Sequence, residues 1–113
     1  VGHIWNTIQS IPEMAGNTAM IITPECGRNL NPNPIQDEND WFAYDHSDAN
    51  TWRIFTQMVG PNIPSNLKVG GESNPIGVSA DGVPTIAEIL GFKNEVVSSG
   101  LLAADAMSLF DRI

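Results

Sequence analysis

The sequence predicts an α/β fold that carries only part of its β-sheet, and three observations lead there. Ile4, Trp5, Ile8 and Ile11 recur at helical spacing, and after a short Ala15-Gly16-Asn17 turn comes the apolar run 18–23, the order of half a βαβ unit. A second alternating run, 51–60, sets Trp52, Ile54, Thr56 and Met58 against Arg53, Phe55, Gln57 and Val59. Both runs are apolar enough to need cover and hydrogen-bonding neighbours, and the remaining sequence supplies no further strong strand. The sheet is therefore expected to be completed by further protein, either the rest of the same domain or other chains.

Taken in order, residues 2–11 read as a helix ended by Pro12, and residues 18–23 as a buried strand closed by Pro24. Periodicity then disappears as far as Asn50. Loops of that length in compact domains are usually functional or disordered. The strand over 51–60 stops at Gly60-Pro61, and Leu67-Lys68-Val69 is a short edge strand ahead of Gly70-Gly71. Ser79 or Asp81 caps a helix in which Pro84 is early, Ile86, Ile89 and Leu90 form the buried stripe, and Gly91 is the stop. A C-terminal helix is predicted from Leu102, Ala106, Leu109, Phe110 and Ile113.

The 113 residues, 42% hydrophobic, suit one domain or part of one, so 1–113 is read as a single domain piece. Thirteen acidic against five basic side chains give a net charge of -8, which repels nucleic-acid phosphates and anionic membranes and argues against both partners. No stretch approaches the roughly 18 apolar residues of a membrane span, so membrane insertion is not expected. The lone Cys26 leaves the redox compartment open. The chain opens at Val1 already inside an amphipathic pattern, which raises the expectation of an upstream segment.

The first strand leads into Thr23-Pro24-Glu25-Cys26-Gly27-Arg28, and open α/β sheets gather their ligands at such strand ends. A carboxylate at Glu25 can hold a divalent cation, and Arg28 can bond a phosphate or sulfate through two donors. Asp45-His46, later in the same loop, adds an imidazole able to ligate metal or move a proton. Residue types alone leave other roles open: a surface pair between Glu25 and Arg28, a plain loop histidine at His46, and a small buried hydrophobe at Cys26. His3 suits a packing or surface role. Trp41, Phe42 and Tyr44 suit a loop anchor better than a base-stacking platform, with so few basic residues nearby.

The string from Asn17 to Arg28 resembles the stretch in alkaline phosphatases, sulfatases, phosphodiesterases and cofactor-independent phosphoglycerate mutases where an apolar strand ends in an Asp-His-Gly metal motif. It is closer still to a Glu-Phe-Gly-Arg version in a sulfatase-like bacterial branch. The histidine loop at Asp45-His46, the strand ending in Gly60-Pro61, and Val83-Pro84-Thr85-Ile86-Ala87-Glu88-Ile89-Leu90-Gly91, similar to a Pro-Thr-Ile-x-x-Leu-Leu-Gly helix, follow in the same order. The resemblance covers nearly the whole chain and implies the C-terminal portion of an alkaline-phosphatase-like three-layer α/β/α sandwich. Carried over, Glu25 and His46 stand at metal-ligand positions, Arg28 lies near the anion, and Asp45 and Cys26 sit behind the ligands.

The implied cofactor is a divalent metal (zinc, manganese or calcium), and the implied address is extracytoplasmic. The nucleophile and further ligands come from the preceding part of such domains, so no catalytic residue is assigned here. Cys26 stands where the family has His or Phe, a departure from the two-metal motif that raises a competing expectation: a non-catalytic structural or assembly module of the same fold.

Overall fold

The computed structural model describes residues 1–31, 38–39, 46 and 49–113. The chain is mixed α/β and divides into two units, Val1–Ser65 and Asn66–Ile113. No helix among the described residues is long and apolar enough to cross a membrane.

In the first unit the predicted opening helix forms as α1 (Gly2–Gln9). It stops short of Ile11 because a residue before proline disfavours helical backbone, and Ile11 precedes Pro12. The chain then turns, the amides of Met14 and Ala15 both bonding the Ile11 carbonyl. Trp5 and Ile8 are half-buried, while Ile4 and His3 face solvent. The apolar run yields β1 (Met20–Ile22), and the second alternating run yields β2 (Gln57–Val59).

The half βαβ unit anticipates parallel neighbours, yet β1 and β2 pair antiparallel, with Met20 opposite Val59 and Ile22 opposite Gln57. Antiparallel pairing needs only a returning loop, whereas parallel pairing needs a crossover. The described part of the connection holds one 3₁₀ turn, Ala49–Trp52, and no α-helix. Thr23 prolongs the contact by donating its hydroxyl to the Phe55 carbonyl at 3.0 Å.

β2 is much shorter than the 51–60 run, because Thr51 is buried in that 3₁₀ turn and its carbonyl accepts the Gly27 amide at 2.8 Å instead of joining a ladder. Trp52, part of that alternating run, is 82% exposed. The residues of β1 are half-buried rather than fully buried.

In the second unit, residues 67–69 form no strand, and the local backbone closes as a bridge between Gly71 and Asn74. A 3₁₀ turn, Ser79–Asp81, leads into α2 (Gly82–Leu90). Pro84 sits in the first turn, where a missing amide hydrogen costs nothing. The helix closes as its sequence predicts: Gly91 adopts φ 85°, its amide bonds the Glu88 carbonyl, and the Phe92 amide bonds that of Ala87.

The buried face is not the one apolar periodicity selects. Pro84, Thr85 and Ala87 are buried, while of the predicted stripe Ile86 and Leu90 are 47% and 64% exposed and Ile89 is half-buried. The cause lies under the helix. Asp81, fully buried, accepts hydrogen bonds from the amides of Val78 (2.9 Å) and Met107 (3.1 Å) and from two nitrogens of Arg112, Nε at 2.6 Å and Nη2 at 2.8 Å. One turn on, the Thr85 hydroxyl donates to the Asp81 carbonyl at 2.6 Å and accepts the Leu109 amide at 2.9 Å. Burying a carboxylate requires such partners, so Thr85 turns inward while Ile86 turns out.

The same contacts explain why no C-terminal helix forms. Met107 and Leu109 give their amides to Asp81 and Thr85, and the buried Ser108 accepts the Phe110 amide at 3.2 Å, leaving only a 3₁₀ turn, Leu109–Asp111. The helix forms earlier instead, as α3 (Lys93–Ser98). Gly77 lies against the cluster, where a Cβ would stand 2.7 Å from an Asp81 carboxylate oxygen and 2.8 Å from Leu109.

Thr85→Val removes the hydroxyl while keeping the side-chain shape, and leaves the Leu109 amide without its acceptor. It is expected to cost about 1–3 kcal/mol, read as a lower urea midpoint at unchanged slope, whereas Thr85→Ser retains most of the stability.

Candidate functional site

The loop leaving β1 is held by main-chain contacts. The Gly27 amide bonds the Thr51 carbonyl at 2.8 Å, and the Asn50 side-chain amide donates to the Arg28 carbonyl at 2.7 Å. The two backbones approach so closely that a Cβ on Gly27 would collide with the Asn50 carbonyl oxygen and meet that of Arg53 at 3.0 Å. Glycine is the residue that permits the contact. Thr51, 3% exposed, lies against the same junction, and its hydroxyl is 3.4 Å from the His46 carbonyl.

The sequence-predicted residues are thus brought together in part. Glu25, Cys26 and Arg28 lie on one strand-end loop, and the Gly27–Thr51 junction ties that loop to the segment following His46. Glu25, Arg28 and His46 are exposed and Cys26 is half-buried. Glu25 and Arg28 form no ion pair with each other. The Cys26 thiol instead approaches a Glu25 carboxylate oxygen at 3.9 Å, the long contact expected of a weak sulfur donor. Asp45 and the aromatic residues Trp41, Phe42 and Tyr44 lie outside the described residues.

Carboxylate oxygen and imidazole nitrogen suit a borderline cation such as zinc, with calcium and manganese favouring the oxygen alone. A catalytic zinc site takes three protein ligands. Among the described residues no group of three His, Cys, Asp or Glu side chains is placed to hold a metal ion. Glu25 and His46 are thus two donors by residue type, and no catalytic step is assigned through them. What sequence reasoning missed here is Asn50, whose amide fixes the Arg28 backbone from 22 residues away without any local motif.

No family model matches the sequence, and no curated protein or solved structure matches it either.

Gly27→Ala is expected to cost about 1–3 kcal/mol by forcing the two backbones apart. Hydrogen exchange reads the change as faster exchange at the Gly27-position and Arg53 amides, with β1 and β2 amides much less affected. Asn50→Ala produces a smaller effect of the same kind, about 1 kcal/mol.

Proposed function

We propose that this chain is one part of a metal-dependent phosphoester or sulfoester hydrolase-like domain, an alkaline-phosphatase-like α/β/α sandwich that further protein completes. In it Glu25 and His46 are two of the metal ligands, Arg28 contacts the anion, and Asp45 and Cys26 stand behind them. The observation that carries this reading is the Gly27–Thr51 junction, which holds the loop bearing Glu25 and Arg28 against the segment that follows His46. A divalent cation would supply charge stabilisation for displacement at phosphorus or sulfur. The role of this chain's residues is narrower: Glu25 and His46 bind, and Arg28 orients an oxyanion through paired donors. An extracytoplasmic location belongs to the same proposal.

A second reading has its own support. Val83, Ile86 and Leu90 form an exposed apolar ridge on α2, and beside it Ala80, Val83, Val96, Leu101 and Leu102 line an apolar groove of about 490 Å³ with Glu95 on its wall. Such surfaces suit packing against other protein, as in a structural or assembly module that has lost catalysis.

Elemental analysis of the parent protein separates the two. The hydrolase reading expects stoichiometric zinc, manganese or calcium, reduced by Glu25→Ala and by His46→Ala, together with hydrolysis of a nitrophenyl phosphate or sulfate. Arg28→Ala should keep the metal and raise KM by about tenfold, the loss of a charge-assisted bond. Metal-free, inactive parent protein overturns the hydrolase reading and leaves the assembly one.

A further inference from the structure

We propose that residues 105–113 form an ionically latched strap that opens from α2 independently of the α2 and α3 helices, with Asp81 as the catch. The strap is attached mainly by polar contacts. Arg112 grips both Asp81 carboxylate oxygens and also donates to the Asp105 carbonyl at 2.7 Å. The Met107 and Leu109 amides dock on Asp81 and Thr85. At the other edge Lys93 of α3 bridges Glu88 of α2 (2.9 Å) and Asp111 of the strap (2.8 Å). Apolar attachment is slight by comparison: Met107 and Ile113 are 43% and 49% exposed, and Leu109 and Phe110 only half-buried.

The helices have attachments of their own. α2 and α3 are joined through the Gly91 closure, whose amide bonds involve no strap residue. A segment bound by charge to helices that keep a separate attachment to each other can leave first.

The direction of its pH response follows from the groups that face the catch. Burial pushes the Asp81 carboxyl up, but the Arg112 hydrogen bonds, the Val78 and Met107 amides and the Arg112 charge together hold it below its ordinary 3.8. Glu88 is likewise lowered from 4.5, by Ser108 first and then Lys93, against burial and the nearby Asp111 charge. Lys93 is raised above 10.5 by Asp111 and Glu88. Asp105 and Asp111 on the strap and Glu95 on α3 complete the charged groups of these elements.

A depressed carboxyl stabilises the latched form above its open-state pKa and loses that contribution as pH falls through the latched one. A raised lysine contributes fully below 10.5 and is lost as pH rises through its latched value. The strap is therefore fastened across the neutral range and loosens in acid, while the half-buried Lys93 bridge, with Asp111 on its open side, also weakens with salt.

Amide exchange measured by NMR on the full chain tests this. At pH 6, Met107 and Leu109 should be protected along with Ile89 and Leu90. Below pH 3.8, protection at Met107 and Leu109 should fall by up to about tenfold per pH unit until the latched pKa of Asp81 is reached, while Ile89 and Leu90 hold. Arg112→Gln should lower Met107 and Leu109 protection about tenfold already at pH 6, and Asp81→Asn should do the same. Loss of protection at all four amides together overturns the proposal, as does a strap indifferent to both acid and Arg112→Gln, or absence of protection at either pair at pH 6.

Discussion

A buried carboxylate determines the second half of this chain. Asp81 is shut off from solvent, so each oxygen must find donors, and they come from a turn just upstream, from a strap 26 residues downstream and from the guanidinium of Arg112. Once those donors converge, Thr85 is drawn inward to extend the network, and the Met107 and Leu109 amides are no longer available to a C-terminal helix. Apolar burial follows the polar network here: among the described residues the fully buried positions of this unit are Asp81, Pro84, Thr85, Ala87 and Ser108.

The first unit depends on a backbone approach rather than on a charge. The Gly27 amide meets the Thr51 carbonyl where no side chain fits, and that meeting both shortens β2 and presents the Glu25 loop beside the His46 segment. A two-stranded ladder is marginal by itself, so the junction matters to it as an additional tie across the same loop.

Legibility in the sequence follows the range of the interaction. α1, β1 and α2 are local events, announced by helical spacing, a short apolar run, an early Pro84 and a closing Gly91, and they form where those signals stand. The C-terminal helix fails because the amides of Met107 and Leu109 are claimed by side chains 26 and 24 residues earlier, beyond any window of periodicity, and the six residues of α3 are too few to carry a periodic signal. The buried stripe of α2 is misplaced for a related reason: hydropathy ranks Ile86 above Thr85, but a threonine that can bond Asp81 has the stronger claim to the interior. At the candidate site the donor types at Glu25, Arg28 and His46 are readable from composition and position, whereas the approach of Gly27 to Thr51 leaves no trace in spacing.

The aromatic residues are unevenly shared. Trp5, Trp41 and Trp52 all fall within Val1–Ser65, and Asn66–Ile113 contains neither tryptophan nor tyrosine. With Trp52 largely in water and Trp5 half-buried, indole emission arises in the first unit alone and reports its unfolding without any label.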